Sequence, residues 1–167
     1  GAATPEAVRK LAEKYYGPIP RRPVEARRRP SEGGPGLPQK VMRADARVVE
    51  PRWSRDFIAP SYRSAESRHA YALTVLSHIF GGSETSRLWR AMVVDSKLAL
   101  SASAGYSATR LGLSAFDISV HPAPQKSIVD MEGAVVDQMK KLLDDGVTPE
   151  EVERTQNQLL AAAIYSQ

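Results

Sequence analysis

The sequence predicts an α+β fold, an antiparallel sheet with helices packed on one face. Three observations carry this. Segments that alternate apolar and polar residues occur in pairs, segments of helical period occur in pairs after them, and short turn signals separate the two kinds. From residue 40 onward the order reads β-β-α-α-β-β-α-α, and strands that arrive as hairpins with helices between them favour an antiparallel sheet.

Each element has its own signal. Residues 4 to 16, "TPEAVRKLAEKYY", read as a helix: Thr4 is placed to cap, Pro5 suits the first helical position, and Gly17 suits a left-handed stop. Residues 18 to 40 hold a proline-stiffened, charged and glycine-broken run that reads as an interdomain linker. "KVMRADARVVE" alternates, with Met42, Ala44, Ala46 and Val48 on one side, and predicts a half-buried strand. After Pro51, "RWSRDFIAP" predicts a second, with Trp53, Phe57 and Ala59 on one side.

"ESRHAYALTVLSHIF" changes to helical period through Ala72, Val75, Leu76 and Ile79, and Gly81-Gly82 ends it. "TSRLWRAMVVDS" predicts a short helix with Leu88, Trp89, Met92 and Val93 as its apolar stripe. "LALSASAGYSA" and "SAFDISVHP" predict a strand pair turned at Arg110 to Gly112, the second burying Phe116, Ile118 and Val120. A long amphipathic helix follows along Ile128, Met131, Val135, Met139 and Leu142, stopped by Gly146. "TPEEVERTQNQLLAAAIYSQ" opens the last helix with a capping box, Thr148 with Glu151.

Composition narrows the function classes. The 167 residues are 42% hydrophobic and 25% charged, enough for one sizeable core. No apolar run approaches the ~18 residues of a membrane span. The absence of cysteine excludes disulfides and thiolate metal sites within the segment. The net charge of +4 is concentrated in residues 18 to 40: Arg21, Arg22, Arg27, Arg28, Arg29 and Lys40 against Glu25 and Glu32. A nucleic-acid binder would spread its basic groups over a folded face with aromatics nearby. Arginines among prolines read instead as solvated linker. The opening "GAATPEAV" and the close within an apparent helix, "LLAAAIYSQ", read as the ends of a fragment, whose missing elements would leave apolar surface for self-association.

No constellation in the chain carries chemistry by itself. His69 and His78 lie nine positions apart on one predicted helix, about 2.5 turns, so they face opposite ways and cannot share a metal. His69 has Glu66 at i−3 as a partner, and His121 sits near a strand end. There is no HxxEH, no GxSxG and no GK[ST]. "GGSETSRLWR", residues 81 to 90, therefore reads as a joint between helices. Gly81 and Gly82 supply the reversal, Ser83 or Thr85 caps the next helix, and Glu84 favours its positive end.

Taken in order, "LAEKYYGPIP", "APSY…AYALTVLSHIFGGSETSRLWRAM", "LALSASAGY" and "DDGVTPEEVERTQNQLLAA" resemble the pitrilysin/insulinase family of zinc metallopeptidases, in particular its bacterial branch similar to mitochondrial processing peptidase. The "GG…SRL" joint and the "GVTPEEVER" helix start are the most specific parts. The resemblance implies two similar α+β halves joined by a linker. The first half carries HxxEH and a downstream Glu that bind zinc, and the second encloses the peptide without metal. On this mapping residues 1 to 17 are the C-terminal helix of the preceding half-domain, residues 18 to 40 the linker, and residues 41 to 167 an incomplete, non-catalytic second half, truncated at its C-terminal end.

Second halves that assist catalysis resemble "LREKxGLAYSV", whose Arg and Tyr hold substrate. This chain has "MVVDSKLALSA" there, with Val93 at the Arg place, Leu100 at the Tyr place, and Arg90 as the nearby substrate-holding candidate. The resemblance thus implies no catalytic or metal-binding residue in this segment and zinc in the parent's first half-domain. Its implied partners are a peptide substrate, the first half-domain of the same chain and a hetero- or homodimeric partner subunit, with no nucleic acid. The compartment stays open between bacterial periplasm and cytoplasm. Two alternatives remain: a non-catalytic relative acting as partner subunit or scaffold, and an unrelated α+β binding module whose basic linker contacts anions.

Overall fold

A computed structural model of the chain describes residues 3–28, 36–64 and 66–166. The linker's Arg29 and Glu32, and the last residue Gln167, lie outside the described residues. The chain forms two compact units, Gly1–Ser31 and Glu32–Gln167.

The first unit is one helix, α1 (Pro5–Tyr16), followed by exposed irregular chain. Thr4 caps it, its hydroxyl accepting the Ala7 N–H at 3.3 Å, and Pro5 takes the first turn. Gly17 departs from expectation: it keeps right-handed φ −53° rather than reversing. The helix stops instead because Pro18 has no N–H to continue the ladder. Nothing in α1 is buried within the unit, and Val8, Leu11 and Tyr15 are all more than half exposed.

The second unit is built on three antiparallel strands in the order β1-β3-β2: β1 (Trp53–Ala59), β2 (Ala99–Tyr106) and β3 (Ser114–Pro122). The helices are α2 (Arg68–Gly81), α3 (Arg87–Trp89) running into a π-helical stretch (Arg90–Asp95), α4 (Ile128–Asp145) and α5 (Pro149–Tyr165). Strand alternation sends Trp53, Phe57 and Ala59, Ala102 and Ala104, and Phe116, Ile118 and Val120 to one face. There they meet Phe80 of α2, Leu88 of α3, Met92 of the π stretch, and Met131 and Val135 of α4. Phe80, Leu88, Met131 and Val135 are essentially inaccessible to solvent, so this is the hydrophobic core.

The first expected strand, residues 40 to 50, does not form. Its alternation breaks at a turn: the Asp45 carboxylate accepts the Arg47 N–H at 3.0 Å, and the Val48 N–H reaches the Asp45 carbonyl at 2.9 Å. Met42 and Val48 are consequently exposed, and among the described residues the sheet has three strands where four were expected. In α2 the predicted Ile79 is buried and Leu76 packs against the core, while the start of the stripe differs. Ala72 is exposed while Ala70, Ser77 and Phe80 are buried.

The two glycines of the joint also act differently from the prediction, since neither has positive φ. Gly81 is a packing residue: a Cβ there would lie 2.1 Å from the Ala104 nitrogen of β2. A Cβ on Gly82 would come within 2.6 Å of the His78 Cα. Nor do Ser83 and Thr85 cap α3. Their hydroxyls face each other at 3.0 Å, and the cap position belongs to Ser86, whose hydroxyl donates to the Ser83 carbonyl at 2.6 Å. The long helix α4 starts with a capping box that sequence reading overlooked, Ser127 with Asp130, and the predicted Thr148–Glu151 box opens α5.

Candidate functional site

The helices cover one face of the sheet. The other face is mostly polar apart from the Ile58–Ala115 pair, and its rows follow from the register. Ser54, Ser119 and Ser103 form one row, Asp56, Asp117 and Gly105 the next, and His121 lies beside Ser101. A cleft of about 600 Å³ lies over this face, lined among others by Arg52, Asp56, Arg110 and Asp117. Two guanidinium groups and two carboxylates make the surface nearly neutral but strongly polar.

Local bonds set which of these groups are free. Arg52 donates to the Ser119 hydroxyl at 2.9 Å. Gly105 gives the Asp117 carboxylate its place: a Cβ there would stand 2.9 Å from Asp117 Oδ1. Neither Asp56 nor Asp117 has an ion-pair partner among the described residues. At the end of the cleft Tyr106 donates its hydroxyl to the Pro60 carbonyl. Burial raises its pKa, with a smaller contribution from Tyr62, so it stays a neutral phenol.

A second cleft of about 610 Å³ opens on the helical side, between the π stretch and α4. Arg90 lines it, together with Arg87, Gln138, Lys141 and Asp145. Arg90 is exposed and has no hydrogen-bond acceptor or ion-pair partner among the described residues. Arg87 is fully engaged. Its guanidinium grips both Glu151 carboxylate oxygens, at 2.7 and 2.5 Å, and donates to the Gly146 carbonyl at 2.9 Å. The same Glu151 closes the α5 capping box on the Thr148 N–H at 2.9 Å. Hydrogen bonding to Arg87 is the largest cause holding the Glu151 carboxyl below its ordinary value, and burial opposes it. The "SRL" and "GVTPEEVER" segments, 64 positions apart, thus meet in one forked ion pair.

Zinc does not fit the described residues. No group of three or more His, Cys, Asp or Glu side chains among them could hold a metal ion. His69 and His78 are both exposed on α2, and His121 stands on β3. The expected His69–Glu66 contact is a backbone hydrogen bond of 3.1 Å, from the His69 N–H to the Glu66 carbonyl. No helix among the described residues is long and apolar enough to cross a membrane. Val93 is half-buried beside the core, whereas Leu100 is 55% exposed. The β2–β3 register shifts between Ala99 and Ser101, so Leu100 is the extra residue of a bulge on an outer strand of the sheet.

The row of Asp56 and Asp117 was not visible in the sequence. No hairpin joins β1 to β3, so no turn fixes their register, and side-chain alternation alone leaves the pairing partner open.

The family described as "Peptidase M16 inactive domain" matches residues 1–159. Among solved structures, a protease from Helicobacter pylori superposes with TM-score 0.79 at 19% identity, over 98% of this chain and 39% of that one. A candidate zinc protease from Bordetella pertussis Tohama I gives TM-score 0.60 at 19% identity, over 71% of this chain and 64% of its own. A peptidase M16 inactive domain from Pseudomonas fluorescens gives 0.56 at 15% identity, over 65% of this chain and 26% of its own. At these identities the likeness is one of fold, and the chain spans only part of each protein. No curated protein matches the chain. The match over nearly the whole chain and the shared α+β architecture lead to one assignment: the chain belongs to the peptidase M16 inactive domain family, the non-catalytic half of a protease-like protein.

Proposed function

We propose that the chain is the non-catalytic wall of a zinc metalloendopeptidase, enclosing a peptide against a catalytic first half-domain. The observation that carries this is the unequal treatment of the sheet. One face is buried under helices, while the other is left polar and uncovered above a cleft of about 600 Å³. A surface of this kind offers hydrogen bonds and charge to a peptide without fixing a single side-chain shape. In this reading residues 1 to 17 end the preceding half-domain, residues 18 to 40 are the linker and residues 41 to 167 form the wall. Zinc in the first half would activate the water that attacks the peptide bond; the residues of this chain bind and enclose.

The apolar Val93 and Leu100 support a division of labour, with a partner subunit supplying the substrate-holding Arg and Tyr. Arg90 remains the candidate within this chain. Its unpaired guanidinium lies on the helical side, away from the uncovered face, so it suits only a peptide carboxylate that reaches the second cleft. Zinc content and peptide hydrolysis of the parent protein test the proposal. A parent with HxxEH upstream, one bound zinc and peptidase activity supports it, with the 167-residue chain alone binding no zinc. Stoichiometric zinc in the purified chain would overturn it. A parent that cuts no peptide, alone or with a partner, would select the scaffold reading.

A further inference from the structure

We propose that the linker is a processing site, cut between Arg21 and Arg22 and between Arg27 and Arg28 by an endopeptidase that recognises paired basic residues. This does not depend on whether the parent protein itself cuts peptides.

The backbone carries the argument. Basic residues stand side by side at Arg9-Lys10, Arg21-Arg22, Arg27-Arg28-Arg29 and Lys140-Lys141. An endopeptidase takes its substrate as an extended strand, held largely through the main chain. A helical pair cannot be held this way until its helix opens. Arg9 and Lys10 lie inside α1, where Arg9 also grips Glu13 at 2.9 Å, and Lys140 and Lys141 lie inside α4. The linker pairs are placed differently. Residues 20 to 28 belong to no helix or strand, and all of them are exposed. They make no hydrogen bond and no ion pair among the described residues, so neither backbone nor guanidinium has a partner to give up. Pro20 and Pro23 flank the first pair and hold the chain near the extended polyproline conformation.

The prolines also choose the bond. Arg22 is followed by Pro23 and Arg29 by Pro30, and a proline has no N–H to offer on the leaving side of a cut. Cleavage is thereby directed between the arginines and not after the last of them. Hydrolysis adds one water across that amide, leaving an arginine carboxylate on one piece and a free amino group on the other. Both bonds lie beyond α1, in the irregular tail of the first compact unit. Neither cut removes a hydrogen bond from α1 or from the three-stranded unit, so processing turns one chain into two pieces that keep their structure.

Limited digestion of the full 167-residue chain tests this, with an endoproteinase that cuts between paired basic residues and intact mass as the readout. The first products should end at Arg21 or Arg27, and the piece that begins at Arg22 or Arg28 should melt at the temperature of the uncut chain. The variant R21Q/R27Q/R28Q, altered only at exposed irregular positions, should be cut at least about a hundredfold more slowly there, because the enzyme's acidic pocket loses its cation. The parent protein recovered from its own cells should carry a new amino terminus at Arg22 or Arg28. First cuts at Arg9-Lys10 or Lys140-Lys141, a fall in melting temperature on linker cleavage, or a parent recovered only as one uncut chain each overturn the inference.

Discussion

The two faces of the sheet are made from the same three strands, yet they obey different rules. On the helical face the rows are filled with Ala102, Ala104, Phe116, Ile118 and Val120, and a glycine appears in α2 only where the helix must come into contact with β2. On the open face the rows hold serines, a glycine, two opposed carboxylates and an exposed Ile58 beside Ala115. Packing decides the first face residue by residue. On the second, no apolar core dictates the residues, and one pair sets like charges opposite each other. A position that breaks a local rule without a compensating contact is where function is to be sought.

The sharpest way to break the comparison is at Gly81. Gly81→Val should destabilise the chain by at least about 2 to 3 kcal/mol, because the first added carbon already meets the β2 backbone and a main-chain atom cannot yield as a side chain can. Denaturant unfolding reads this, and a variant as stable as the original chain would mean that the helix and strand can separate freely.

The ion pair between Arg87 and Glu151 sits between the two extremes, at the rim of the core. Arg87→Ala should cost about 1 kcal/mol at neutral pH. Its pH dependence has a definite sign. The Glu151 carboxyl is lowered on folding, so the stability it contributes is present above the unfolded value of about 4.3 and is lost as the pH falls through the folded value. Melts of the two proteins should therefore converge in acid, and a gap that persists at pH 2 to 3 would assign the effect to lost packing instead.

The smallest effect is expected on the open face and in the opposite direction. Asp56→Asn should leave the melting temperature unchanged or raise it by up to about 2 °C, since it removes one of two like charges. A clear fall would show that the carboxylate is structural, and would blur the contrast between the faces.

Much of the helical face was legible in the sequence because it depends on period and capping. The Phe116, Ile118 and Val120 alternation, the Met131 and Val135 stripe and the Thr148 box all follow from spacing within one element. Residues 40 to 50 misled because alternation says that a strand would be amphipathic, not that an edge will accept it. Asp45 and Arg47 bond locally, which holds the Asp45 carboxyl down at about 2 and favours a turn. Gly81 was read as a reversal because a glycine doublet looks the same in sequence whether it bends the chain or admits a neighbour. The open face was legible in composition but not in arrangement, since Asp56 and Asp117 are 61 positions apart and meet only through register.

The π stretch has a consequence for counting. The Ser96 N–H reaches back five residues to the Ala91 carbonyl, and the Leu98 N–H reaches the Met92 carbonyl, so this turn holds one residue more than an α-helical turn would. The extra residue is absorbed between two fixed points, Leu88 in the core and Ala99 at the start of β2. A relative with an ordinary turn here would be one residue shorter and still place both anchors correctly. Against a relative with an ordinary turn, positions before and after it would correspond under two different offsets, and Arg90 and Leu100 stand on opposite sides of that boundary.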